Sequence, residues 1–205
     1  MEEDLKLFDY VFINNNAPRT LVLLHGTGGD KHDLLFFNEL LDKKYNLIGL
    51  QGNVTENGMP RFFKRISFGV FDQENIKEES EKLQKFIVAF KTKYLLPNEN
   101  IFALGYSNGA NMLLATLFYY PESISNLILL HPMLPFIPED KSLKLSDHTI
   151  FITSGKNDQM ISENDSNEVV TVLTSLNAKI VAKQYSGGHE LTQSEILDIV
   201  EFLKY

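Results

Sequence analysis

The amino-acid sequence predicts an α/β architecture, a mostly parallel central sheet flanked by helices on both faces, and three observations predict it. Short apolar runs alternate with longer amphipathic segments along all 205 residues, as strands joined through covering helices do. Several runs, LVLLH at 21–25 and LILLH at 127–131 among them, are apolar without alternation, which fits strands buried on both faces. No internal repeat, low-complexity tract or Gly/Pro/Ser-rich linker divides the chain, so a single domain over 1–205 is expected. With 43% of residues hydrophobic, that length encloses one substantial core.

Strands are predicted at 10–14, 20–25, 45–51, 100–106, 127–131, 149–154 and 179–185. Helices are predicted at about 31–43, 76–94, 108–120, 163–177 and 192–204. In the second helix Leu83, Phe86, Ile87 and Phe90 recur at helical spacing, and Pro97 closes the segment because proline cannot continue a helix. The stretch 52–75 reads as irregular. It holds Phe62, Phe63, Phe68 and Phe71, too apolar for disorder, so it is expected to pack over something.

Composition excludes several function classes. A net charge of −8 opposes binding to phosphate backbones, and the densest basic stretch, 61–65, carries three charges, Arg61, Lys64 and Arg65. No nucleic-acid partner is expected. The absence of cysteine removes disulfides, thiolate metal sites and a cysteine nucleophile, leaving serine and threonine for covalent chemistry. The opening Met1-Glu2-Glu3-Asp4 has no basic stretch followed by an apolar one, and no segment reaches membrane-spanning length. A cytoplasmic protein without a membrane span is the expectation.

Chemistry is concentrated at Gly105-Tyr106-Ser107-Asn108-Gly109, a G-x-S-x-G pattern between an apolar strand and an apolar helix. A tight strand-to-helix turn exposes the serine at the strand's carboxyl end, and the flanking glycines let strand and helix approach. Ser107 is the candidate nucleophile. A second glycine-rich turn, His25-Gly26-Thr27-Gly28-Gly29, follows another strand. The backbone N–H groups of Thr27 and Asn108 are the candidate oxyanion donors. This turn lacks the Gly-Lys-Ser/Thr ending of a phosphate loop. His25, Asp30, His32 and Asp33 show no metal-ligand pattern, so His25 is expected to brace the turn by hydrogen bonding. Of the five histidines, His189 follows the last strand and is the candidate base; His131, at the end of 127–131, is the weaker rival. Asp158, in the turn after the penultimate strand, is the candidate carboxylate that orients the imidazole. The order Ser107, Asp158, His189 is the order this arrangement uses.

These motifs resemble the bacterial phospholipase/carboxylesterase family of small α/β hydrolases, relatives of acyl-protein thioesterases. The resemblance rests on 25–29, on Gly58-Met59-Pro60-Arg61-Phe62-Phe63, on Gly69-Val70-Phe71-Asp72, on 105–111, on His131-Pro132-Met133-Leu134-Pro135 and on Gly188-His189-Glu190-Leu191-Thr192. It implies the α/β-hydrolase fold, no cofactor or metal and often a homodimer, and its nearest branch contains hydrolases of quinone-stress operons, hence a detoxification role. The expected activity is cleavage of small soluble carboxylic esters through an acyl-enzyme. Arg61, Phe62, Phe63, Met133 and Leu134 are expected to shape the substrate pocket. No large lid domain is expected, because only a short proline-containing connection joins 131 to 149. A thioesterase or deacylase on acyl-protein or lysophospholipid substrates shares the same triad, and a non-catalytic small-molecule-binding protein of this fold is the alternative of another class.

Overall fold

Each strand of the sheet places alternate side chains on opposite faces, and β2 (Arg19–Leu24) shows the result. Val22 and Leu24 enter one core, Leu21 and Leu23 the other. In the computed structural model, which describes residues 2–204, this strand is central. The others are β1 (Tyr10–Ile13), β3 (Tyr45–Leu50), β8 (Ile101–Tyr106), β9 (Asn126–Leu130), β10 (Thr149–Gly155) and β11 (Lys179–Tyr185). Their spatial order is β1-β3-β2-β8-β9-β10-β11. All pairs are parallel except β1 with β3. The carboxyl ends of the five strands from β2 to β11 in that order therefore form one edge.

Helices α2 (Gln73–Tyr94), α3 (Asn108–Tyr119) and α4 (Glu163–Ser175) cover one face. α1 (Phe37–Leu40) and α5 (Gln193–Leu203) cover the other. The Asp72 side chain caps α2 by accepting from Asn75 N–H, and Leu95 ends it in a left-handed conformation before Pro97. Between β9 and β10 residues 131–148 hold no helix or strand, so no large lid covers the sheet edge.

Two expectations change. The helix predicted at 31–43 is mostly a chain of turns whose i to i+3 bonds run from Asp30 to Asn38, with only one short α segment. The segment starts in close packing against the sheet: the carbonyl of Lys31 lies against Gly49 of β3, an approach that any Cβ there would block. The irregular stretch 52–75 contains two hairpins, β4 (Val54–Glu56) with β5 (Met59–Arg61) and β6 (Arg65–Ser67) with β7 (Val70–Phe71). Their strands are two or three residues long, too short for an alternation pattern to register.

Phe86 shows what the first core contributes. It is fully buried on α2 and meets Phe8 at 5.9 Å and Tyr10 at 5.2 Å, both edge-to-face. Truncation to alanine leaves a cavity that Phe8 and Tyr10 border. Phe86→Ala is expected to lower unfolding free energy by about 3–5 kcal/mol, measured by denaturant titration with an unchanged slope.

Candidate active site

The turn from β8 to α3 carries Ser107 at φ 51 and ψ −112. Positive φ strains a residue with a Cβ. Close packing enforces it: a Cβ on Gly105 would lie 2.5 to 2.6 Å from backbone atoms of Gly109 and Ala110, and one on Gly109 would strike the carbonyl oxygens of Leu24 and His25. Bare backbone at both positions lets α3 start directly beside β2, and the Ser107 N–H is tied to Leu130 carbonyl at 2.8 Å.

His189 Nε2 lies 2.9 Å from Ser107 Oγ, and His189 Nδ1 lies 2.7 Å from Asp158 Oδ2. The geometry brings together the three residues named from chain order. Asp158 Oδ1 accepts from the N–H groups of Met160 and Ile161, so the carboxylate is fixed by its own turn. Burial pushes the Asp158 carboxyl up, but those two N–H groups with His189 and His131 outweigh it and hold it below the ordinary carboxylate value. An ionised Asp158 selects the His189 tautomer with hydrogen on Nδ1 and leaves Nε2 free to accept from Ser107. Tyr106 Oη donates to the His189 carbonyl at 2.7 Å, anchoring the loop.

Thr27 and Asn108 both border the cleft at Ser107. Among the described residues neither main-chain N–H is taken by an acceptor. The turn that presents Thr27 is braced from three sides. Gly28 N–H donates to Pro60 carbonyl, Gly29 N–H donates to Gly26 carbonyl, and Arg61 donates to Thr27 Oγ1 at 2.7 Å. His25 braces it as expected. Its Nδ1 lies 2.6 Å from the Gly26 carbonyl and its Nε2 accepts from Gly52 N–H at 3.0 Å, which fixes the neutral tautomer with hydrogen on Nδ1; burial lowers its pKa in the same sense.

The cleft at Ser107 has a volume of about 40 Å³. Arg61 and Met133 line it as expected, but Phe62, Phe63 and Leu134 do not. Phe62 and Phe63 are fully buried in the core, the first against the His25 ring at 4.8 Å. Phe68 and Phe71, eight residues downstream or fewer, line the cleft instead, with Arg65, Asn111, Met160 and Ile161. A larger cavity, about 730 Å³, lies at the opposite edge of the sheet around Arg19, Tyr45 and Leu203, away from every residue above.

His131, the rival base, has no hydrogen bond to Ser107 among the described residues. It lies against Asp158 and Glu195, with Nδ1 3.1 Å from Asp158 Oδ2 and Nε2 3.4 Å from an oxygen of Glu195. Glu195 escaped the sequence reading. Its one visible signal was Thr192-Gln193-Ser194-Glu195, a capping-box pattern at the start of α5. His131, Asp158 and His189 converge closely enough to resemble a metal cluster, but their facing atoms are at hydrogen-bond distance from one another.

A family model described as phospholipase/carboxylesterase matches residues 11–205. The chain is 36% identical over 198 residues to MhqD of Bacillus subtilis (strain 168), with 95% of this chain and 97% of that protein covered. It resembles the crystal structure of the Bacillus cereus carboxylesterase at 34% identity and a TM-score of 0.89, covering 98% of each chain. A second structure, Atu2452 of Agrobacterium tumefaciens str. C58, matches at 28% identity and a TM-score of 0.88, again over 98% of each chain. No helix among the described residues is long and apolar enough to cross a membrane.

Gly109→Ala tests the close packing of the turn. The new Cβ has backbone on its far side, so relief requires α3 to move away from β2 and to carry Ser107 with it. The variant is expected to lose about 1–3 kcal/mol of stability and about 100-fold in ester turnover, read by denaturant titration and initial rates.

Proposed function

This chain belongs to the phospholipase/carboxylesterase family of hydrolases, and we propose that it cleaves small, soluble carboxylic esters through an acyl-enzyme on Ser107. The observation that carries the reading is the unbroken hydrogen-bond series from Ser107 Oγ through His189 to Asp158 at 2.9 and 2.7 Å. His189 Nε2 takes the Ser107 proton as Oγ attacks the ester carbonyl. The oxyanion is held by the N–H groups of Thr27 and Asn108, and His189 then protonates the leaving alcohol. Water attacks the acyl carbon as His189 takes its proton, the bond to Ser107 Oγ breaks, and His189 returns the proton to Ser107.

The narrow cleft supports a short acyl group. About 40 Å³ lies open between Phe71, Met133, Met160 and Ile161, which leaves little room for a long chain. One observation favours a second reading, a thioesterase or deacylase for longer chains: Ile66, Phe68 and Val70 stand exposed on the β6–β7 hairpin beside the cleft. The remaining elements of the reading are a single domain over 1–205, a cytoplasmic setting, and a homodimer as the family resemblance implies. A role in quinone detoxification rests on that resemblance alone.

Hydrolysis of p-nitrophenyl esters of graded acyl length, beside one thioester, tests the reading in wild type and Ser107→Ala. Turnover is expected to be fastest for two to four carbons and to fall steeply by eight. Ser107→Ala is expected to lose about 10⁴- to 10⁶-fold in kcat. Activity that persists in the variant, or no labelling of Ser107 by a fluorophosphonate, sinks the serine mechanism. A rising rate with chain length, or a thioester preferred over its oxygen analogue, favours the second reading.

A further inference from the structure

Asp158 Oδ2 holds two histidines, not one. His189 Nδ1 approaches at 2.7 Å and His131 Nδ1 at 3.1 Å. The second ring nitrogen of His131 stands 3.2 Å from Glu195 Oε1 and 3.4 Å from Oε2. The His131 and Asp158 side chains are each 1% exposed and that of Glu195 is fully buried. A ring nitrogen reaches a carboxylate oxygen by donating an N–H, and His131 faces a carboxylate through each nitrogen. Two buried carboxylates so placed repel each other unless a cation lies between them.

The backbone at His131 has φ 50, a conformation that favours glycine, and its N–H is bonded to Thr153 carbonyl at 3.1 Å. The strain places the ring between the two acids and away from the cleft. Burial acts to lower the His131 pKa, but the hydrogen bonds and charges of Glu195 and Asp158 outweigh it and raise the value above 6.5.

We propose that His131 is a positioning residue, a buried imidazolium clamped between Glu195 and Asp158, which aims the Asp158 carboxylate at His189 and offsets the negative charge beside it. This rests on the serine-hydrolase reading above. The titratable groups facing His131 are Asp158 after β10, Glu195 on α5, His189 and Glu190 before α5, and Tyr106 on β8. The same Asp158, Tyr106 and His131 face His189.

The sign of the effect follows from charge. His189 accepts the Ser107 proton only while its Nε2 is unprotonated, so activity falls as pH drops through its acidic limb. The positive ring of His131 offsets the negative charge of the carboxylates on either side of it. Removing that ring leaves the anions uncompensated. The acidic limb then moves to higher pH.

The test begins with the wild-type protein: nitrogen NMR of the ring, its signals assigned by their loss in His131→Asn. Both His131 nitrogens are expected to carry protons at pH 7 in wild type and in Ser107→Ala alike. A neutral ring there overturns the proposal without touching the serine mechanism. In Glu195→Gln, which keeps a carbonyl to accept from Thr192 N–H, the second proton is expected to leave at pH 7; its retention overturns the clamp. His131→Asn tolerates the left-handed backbone and still donates one N–H to Asp158. Its kcat/KM profile is expected to shift its acidic limb upward by about one pH unit. A uniform loss at every pH, with the limb unmoved, reduces His131 to packing and refutes the positioning role.

Discussion

The backbone of Ser107, at φ 51, is the constraint around which the carboxyl edge of the sheet is organised. A serine does not hold that conformation by preference, and it persists only where surroundings over-determine it. Two glycines supply the first condition by letting α3 begin in contact with the end of β2. The bond from Ser107 N–H to Leu130 carbonyl supplies the second, tying the turn to β9. Since β2 also leads into the turn of Thr27, one packing contact fixes the spacing of the candidate nucleophile and the candidate oxyanion donors together. Positioning then comes from rigid strands, and a loop-built site has no comparable support.

Strand order explains why the chemistry gathers where it does. The neighbours β2, β8, β9 and β10 are followed at their carboxyl ends by Thr27, Ser107, His131 and Asp158. These residues are distant in sequence, yet parallel pairing sets their strand ends side by side, at the kind of edge where open α/β sheets place their sites. His189 arrives from beyond β11 and must reach back. Its loop is held by Tyr106 Oη on the His189 carbonyl, by the Asn157 side chain on the Ser186 carbonyl, and by close contact of Gly155 with the Gly188 carbonyl.

How much of this was legible in the sequence depended on the range of the cause. Ser107, Asp158 and His189 could be named because each follows a strand that its own composition announces, and chain order does the rest. The strands of the main sheet were legible for the same reason. The segment 31–43 was not, since the close approach of Lys31 to Gly49 on another strand is a tertiary contact. Phe62 and Phe63 were indistinguishable by composition from Phe68 and Phe71; hairpins of two or three residues decide which pair enters the core and which borders the cleft. Glu195 is the clearest case. As residue N3 of a capping box it reads as an exposed helix start, and only the tertiary fold reveals that it is fully buried against a histidine 64 residues away.

That buried carboxylate is tolerable because three features act on it at once. Glu195 lies in the first helical turn, where the dipole favours negative charge. It accepts from Thr192 N–H, and its own N–H is capped by the Thr192 hydroxyl. The third feature is His131. The same carboxylate therefore anchors the beginning of α5, and the residues immediately before α5 are the loop that carries His189. Helix capping, an element of local stability, is thereby joined to the electrostatics of Asp158, so the start of the last helix and Asp158 cannot be altered independently.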